Sequence, residues 1–306
     1  MAWVLAGLTG LVATAFIASG ITSCSPSSEP DGGSQLESAR TPRGENLTDV
    51  ESWAFAIGDG ALNGSAHAVR ARLSIFDLVV IDGEEATQDQ IAALRDGGTV
   101  VLGYLSVGTI EPWRSWYPTL EPFALDRWGD WGEYYADVND SEYRTAILRI
   151  ADALTDKGFD GLFLDNVDMV ESHRSQEEGM RTLVSDLSDQ VRSSGGLLFA
   201  QNGADFALTL APLLDGWNRE DVTFGYDFDR EQYVRVPDQD HEDALAALRS
   251  MRAAGLLITT TDYVGAGEWA DQCEAVRVAA GVGALPYVSD VELQRVPESP
   301  FGRSNE

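Results

Sequence analysis

The sequence predicts one parallel α/β domain closed as a (β/α)8 barrel of the TIM type, and three observations carry that expectation. Short apolar runs alternate with helix-patterned segments eight times across residues 49–298, and eight β/α units in strict alternation point to a closed parallel sheet. Acids, amides and hydroxyls recur just past the apolar runs, where the loops after the strand ends line a shared mouth in such folds. No GxGxxG or Walker-type glycine loop follows the first strand, which argues against an open nucleotide-binding sheet.

The elements follow in order. Residues 53–57 (WAFAI) form a first strand ended by Gly58, and residues 65–73 suit a short helix. Residues 76–81 are a buried strand closed by Asp82, residues 87–95 a helix stopped by Gly97-Gly98, and residues 99–105 a third strand followed by Ser106. A long irregular insert over residues 109–140 holds four of the eight tryptophans, and loops of such length are usually functional. Most of these rings are expected to pack the insert onto the barrel; at a site mouth some could stack on sugars. Asp140 and Ser141 can cap a helix over residues 142–157, with Ile147, Ala151 and Leu154 on one face.

The segment 157–168 (KGFDGLFLDNVD) organises the rest. Gly158 can stop the preceding helix in the left-handed conformation. Residues 159–164 suit a strand buried on both faces, and Asp165 and Asp168 stand just past it. A helix over 177–193, a strand over 197–200 closed by Gln201-Asn202, and a short helix over 206–210 follow. The sixth strand lies near residues 213–224 with Glu220 close to its carboxyl end, and an aromatic loop with Asp227, Asp229 and Glu231 comes next. A helix over 241–254, a strand over 256–261 closed by Asp262-Tyr263, a helix over 267–280 and a strand over 283–288 complete the barrel.

The amino terminus reads differently. Residues 1–24 begin with an uncharged apolar stretch that ends in Ile-Thr-Ser-Cys. Its apolar core before small residues fits a signal peptide, and the ending resembles a bacterial lipobox with Cys24 as the lipidated residue. No Lys or Arg precedes the apolar run, so an uncleaved membrane anchor is the alternative. Residues 25–48 are rich in Ser, Gly, Pro and Glu and read as a disordered tether, and residues 299–306 as a tail. The folded part is therefore expected outside the cytoplasm, as a cell-surface lipoprotein or secreted monomer that meets the membrane only through its N-terminal segment.

Composition narrows the function classes. The formal charge is −29, and Lys157 is the only lysine. Such a surface repels nucleic acid and anionic headgroups and is compatible with a cationic partner, although acidic surfaces commonly serve solubility alone. His67, His173 and His241 are scattered and no Cys/His spacing suggests zinc. Cys273 falls in a helical pattern and reads as a buried apolar residue.

The polar residues at the strand ends are Asp82, Tyr104, Ser106, Asp165, Asp168, Gln201, Asn202, Glu220, Asp262, Tyr263 and Asp290. The set contains no cysteine, and its nearest histidine is a loop residue, so it suits neither Ser-His nor Cys-His acyl transfer. It suits glycoside hydrolysis, which asks for one protonated carboxyl and one ionised carboxylate across a sugar linkage. Asp165 on strand four and Glu220 on strand six are the pair expected to face each other.

The motifs also resemble a family. Tyr104-Leu105-Ser106-Val107-Gly108 with Glu111, Arg114 and Trp116 resembles the YLSxGxxExxRxxW block of glycoside hydrolase family 114, the endo-α-1,4-polygalactosaminidases and related proteins. Residues 158–168 resemble its GFDGxxLDxxD block, Gln201-Asn202 its QN segment and Asp262-Tyr263-Val264 its DYV segment. The resemblance implies a barrel, with Asp165 and Glu220 as catalytic carboxylates. It implies cleavage of an α-1,4-linked galactosamine-containing polysaccharide without metal or organic cofactor. Asp82, Tyr104, Ser106, Arg114, Asp168, Asn202, Asp262 and Tyr263 are then expected to bind substrate. One departure stands out: relatives often carry Glu directly after the glycine of the first block, where this chain has Thr109. A degenerate barrel that holds a surface or biofilm polysaccharide without cutting it is the alternative.

Overall fold

A computed structural model describes residues 47–301. The signal or lipobox segment with Cys24, the tether up to residue 46 and the last five residues lie outside the described residues.

The chain opens with β1 (Trp53–Ala56), α1 (Ala66–Leu73), β2 (Leu78–Asp82), α2 (Gln88–Arg95) and β3 (Val100–Ser106). An excursion follows: β4 (Thr109–Ile110), α3 (Tyr117–Leu120), β5 (Ala124–Trp128) and β6 (Glu133–Ala136). The alternation resumes with α4 (Ser141–Asp156), β7 (Gly161–Asp165), α5 (Met169–Ser172), α6 (Glu177–Ser193), β8 (Leu197–Gln201), α7 (Ala204–Leu210) and β9 (Gly216–Glu220). A second excursion, β10 (Phe224–Asp227) and β11 (Gln232–Arg235), precedes α8 (Asp238–Ala253), β12 (Leu257–Tyr263), α9 (Trp269–Val282) and β13 (Leu285–Ser289).

Eight strands make one parallel sheet in the order β1-β2-β3-β7-β8-β9-β12-β13. Its two ends come together, with the Trp53 and Tyr287 rings 5.8 Å apart, so the sheet curls into a nearly closed (β/α)8 barrel. The strands read as apolar runs because nearly every residue is covered, by the barrel interior on one face and by helices on the other. Phe55 and Phe163 fill part of the interior at 5.0 Å.

Local chemistry sets the helix starts. Ser65 accepts from the Ala68 N–H, Thr87 and Gln90 form a reciprocal capping box, and the Asp140 carboxylate accepts from the Glu142 N–H. The buried faces of α4 (Ile147, Ala151, Leu154) and α6 (Met180, Leu183, Leu187) then dock these helices on the sheet.

Two expected loops are ordered instead. Residues 109–140 fold around a three-stranded antiparallel sheet in the order β4-β6-β5, and β10 and β11 form a hairpin with Phe224 opposite Arg235. These strands hold two to five residues each, too few for alternation to show, and partners distant in sequence define them. Cys273 is half-buried on α9 rather than buried.

Candidate active site

The carboxyl ends of the barrel strands surround a cavity of about 490 Å³. β7 delivers Asp165 to it, and β9 delivers Glu220. The adjacent β8 ends on Gln201, whose amide Nε2 reaches both: it donates to Asp165 Oδ1 at 3.2 Å and to Glu220 Oε2 at 2.8 Å. Those two oxygens are therefore at most about 6 Å apart.

Each carboxylate has two further donors. Asp165 accepts from the Tyr104 hydroxyl at 2.7 Å and from the Asn166 backbone N–H at 2.7 Å. Glu220 accepts from Asn202 Nδ2 at 2.8 Å and from the Tyr263 hydroxyl. Asn218, one turn of the pleat before Glu220, is fully buried and fixes the amide of Gln201 by donating to its Oε1 at 2.9 Å. The oxygen of Asn218 is in turn held by the Thr259 hydroxyl at 2.9 Å. The amide orientation of Gln201 is thus set by a donor behind it, which leaves its N–H groups for the acids.

The backbone builds these positions. Asn166 and Asn202, each directly after a strand, sit in the left-handed region at φ 59° and 55°, which Asn tolerates better than most residues. Gly108 lies so close to the Asn166 carbonyl that a Cβ there would stand 1.8 Å from the oxygen, so only glycine lets the end of β3 pass that turn.

Burial raises both carboxyls above the ordinary range, most of all by loss of water, and each has an acid for a neighbour: Glu220 beside Asp165, and Asp221 beside Glu220. Two buried acids that cannot both ionise cheaply hold one proton between them near neutrality. Burial and nearby acids also push Asp168, on the cavity wall, to about 7. Glu133 rises to about 8 from desolvation, against the hydrogen bond from the Thr109 hydroxyl, with Glu111 and Asp165 adding to the rise. The Tyr104 and Tyr263 hydroxyls are driven far up by burial and by the acids they face, so both stay protonated donors.

The structure sorts the sequence-predicted residues. Asp82, Tyr104, Arg114, Asp165, Asp168, Asn202, Glu220 and Tyr263 all line the cavity. Arg114 does so with its donors engaged: it pairs two-pronged with Glu111 at 2.8 and 2.9 Å and donates to Asp82 at 2.6 Å. Its guanidinium lies 5.9 Å from the Tyr104 ring centre, so it buttresses the ring whose hydroxyl holds Asp165.

Two expected substrate contacts do not line the cavity. Ser106 is covered, hydrogen-bonded to Thr109 at 2.7 Å and to Asn166 Nδ2 at 3.0 Å. Asp262 is buried and accepts from the backbone N–H groups of Thr223 at 2.6 Å and Phe224 at 2.8 Å. The physical reason is register: β12 continues through Tyr263, so residues 262 and 263 are successive strand residues on opposite faces. Tyr263 takes the cavity face and Asp262 anchors the segment after β9.

Sequence reasoning missed Glu133 as a site residue. It comes from β6 of the excursion and lines the cavity. Thr109, where the family resemblance leads one to expect Glu, is buried and donates to it, so a carboxylate enters from the neighbouring strand. Three tryptophans of the excursion, Trp113, Trp128 and Trp131, also line the cavity, and Trp113 is 59% exposed. Among the described residues no group of three or more His, Cys, Asp or Glu could hold a metal ion.

Comparison with known proteins gives a consistent picture. An uncharacterized protein of Thermotoga maritima is 25% identical over 268 residues, covering 76% of this chain and 80% of its own length. The glycoside hydrolase domain of PelA from Pseudomonas aeruginosa superposes with a TM-score of 0.71 at 24% identity, covering 81% of this chain and 97% of that one. Ega3 of Aspergillus fumigatus, solved in complex with galactosamine, gives 0.61 at 17% identity, covering 82% and 94%. The structural likenesses establish the shared barrel. The model of glycoside-hydrolase family GH114 matches residues 33–303, and the chain belongs to that family.

Proposed function

We propose that this protein is a retaining glycoside hydrolase that cleaves α-1,4-linked galactosamine-containing polysaccharide, with Asp165 as nucleophile and Glu220 as acid and base. The observation that carries the reading is the shared Gln201 amide, which limits Asp165 Oδ1 and Glu220 Oε2 to at most about 6 Å. Retaining enzymes hold their carboxyls ~5–5.5 Å apart and inverting ones ~6.5–9.5 Å, to admit a water. The galactosamine substrate is supported by the family and by the galactosamine bound to the similarly folded Ega3.

Both carboxyls are raised and each has an acid neighbour. What distinguishes them is the backbone N–H donated to Asp165, which favours its ionised form, whereas the donors to Glu220 are side chains. In the first step an Asp165 oxygen bonds to the anomeric carbon, and the glycosidic C–O bond breaks. The Glu220 proton goes to the leaving oxygen. In the second step Glu220 takes a proton from water, and the water oxygen displaces Asp165 from the anomeric carbon. Tyr104 and Gln201 release and regain the charge on Asp165 through hydrogen bonds already in place, so little reorganisation is required.

In the same reading the enzyme works outside the cytoplasm, as the apolar first 21 residues suggest. The test is incubation with α-1,4-galactosamine polymer, a reducing-end assay and proton NMR of the first-formed anomer. New reducing ends with an α anomer are expected. A β anomer would overturn the retaining assignment, and binding without new ends would favour the non-catalytic barrel.

A further inference from the structure

One cavity residue has no part in this two-carboxylate scheme. Glu133 is 6% exposed and reaches the cavity from β6 of the excursion. Its Oε2 accepts from the Thr109 hydroxyl, whereas Oε1 has no hydrogen-bond partner among the described residues. Thr109 itself is fixed: its Oγ1 lies 2.7 Å from Ser106 Oγ and accepts from Asn166 Nδ2 at 2.9 Å. Asn166 also supplies the backbone N–H that holds Asp165. Glu133 is thus tied by a short, rigid chain of contacts to the acid that attacks the anomeric carbon.

A carboxyl oxygen without a protein partner at the cavity wall is available to a donor on a bound ligand. The wall around it indicates what that is. Among the described residues, ten that line the cavity are Asp or Glu, and the single basic one, Arg114, is already bound by Glu111 and Asp82, which leaves no free cation among them to pair with Glu133. A sugar hydroxyl would satisfy one hydrogen bond but leave the wall's charge unbalanced. An ammonium group supplies both donor and charge, and at a carboxyl only 6% exposed an ion pair is stronger than in bulk water.

We propose that Glu133, held by Thr109, is the specificity-determining residue that recognises the free amino group of the sugar bound beside Asp165. This inference rests on the reading of the chain as a galactosamine-polymer hydrolase and adds the group that distinguishes amine from acetamide. An acetamide N–H can donate one hydrogen bond but carries no charge, so Glu133 gains far less from it. Glu133 faces Glu111, Asp165 and Arg114 as its charged neighbours and Thr109 as its donor. Arrival of an ammonium favours the ionised carboxylate, so binding should release a proton from the protonated form that burial maintains.

Binding and turnover test this separately. Galactosamine and N-acetylgalactosamine oligomers of equal length are titrated calorimetrically, in two buffers of different ionisation heat, into the protein and its Glu133→Gln and Glu133→Asp variants. The unmodified protein should prefer the free amine at least tenfold, with proton release. Glu133→Gln should lose that preference and the proton release while keeping its affinity for the acetylated oligomer within about twofold, and Glu133→Asp should keep part of both. An unchanged preference in Glu133→Gln, or equal loss for both ligands, overturns the assignment. If the preference behaves as expected but the unmodified protein cleaves neither oligomer, the recognition role stands and the hydrolase reading falls.

Discussion

Asp165 and Glu220 meet on either side of one nitrogen, the amide Nε2 of Gln201, at 3.2 and 2.8 Å. Adjacent strands make this meeting: β8 lies between β7 and β9 in the barrel, so its last residue stands between theirs. A neutral donor between two acids supports the negative charge on either of them.

Removing each acid should separate their roles. Asp165→Ala and Glu220→Ala are each expected to lower kcat/KM at least a thousandfold, the upper range for losing a nucleophile or a proton donor. Azide should rescue both, with different products. With Asp165→Ala it attacks from the vacated face and yields a β-glycosyl azide; with Glu220→Ala, on a substrate with a good leaving group, it attacks the glycosyl-enzyme and yields the α azide. The reverse pattern would exchange the roles.

Gln201→Leu keeps the volume but removes the shared donor. A hydrogen bond to a charged group contributes about 1.5–3 kcal/mol, so kcat should fall about tenfold or more. A lost donor favours the protonated acids, so the alkaline limb of the kcat/KM profile should move to higher pH. A limb that stays in place, read from rates between pH 5 and 9, would show that Gln201 does not hold the pair.

Trp113 is the most exposed of the aromatic residues at the cavity rim, at 59%. Trp113→Ala should leave Tm within about a degree, because little of its surface is buried. It should raise KM several-fold for long polymer and less than twofold for the shortest cleaved oligomer, as expected of a ring that stacks on a sugar remote from the scissile bond. Equal effects on both lengths would remove Trp113 from the polymer path.

Stability should decline from mildly acidic to mildly alkaline pH. Asp168 and Asp221 hold their protons to about 7, Glu133 to about 8 and Asp262 to about 6, all above their unfolded values. The folded chain therefore binds more protons than the unfolded chain over roughly pH 4–8, and stability falls as pH rises through that window. Each unit of elevation corresponds to about 1.4 kcal/mol once the group ionises, so Tm should drop by several degrees between pH 5 and 8. Asp221→Asn should flatten the curve, as Asp221 Oδ1 is buried without a hydrogen-bond partner. A Tm that rises over this range would contradict the protonated state of these acids.

Much of this architecture is written locally. Apolar runs alternating with helix patterns marked all eight barrel strands and the main helices between them, because a continuous apolar run and the 3.6 period are short-range properties of the chain. The GFDG segment placed Asp165, and the polar residues past Asn218 placed Glu220, at strand ends that share one mouth. Only the tertiary structure decided which side chains enter it. A strand that ends two residues later than expected turned Tyr263 inward and Asp262 away, because neighbours along a strand face opposite ways. Glu133 carried no signal at all: it sits on a four-residue strand that exists by pairing with β4 and β5. Gln201 was one polar strand end among several in the sequence, and only the pairing of β8 with β7 and β9 set an acid on either side of it. Composition and periodicity fix what each segment is; the register and the long-range pairing, which depend on partners distant in sequence, fix what it touches.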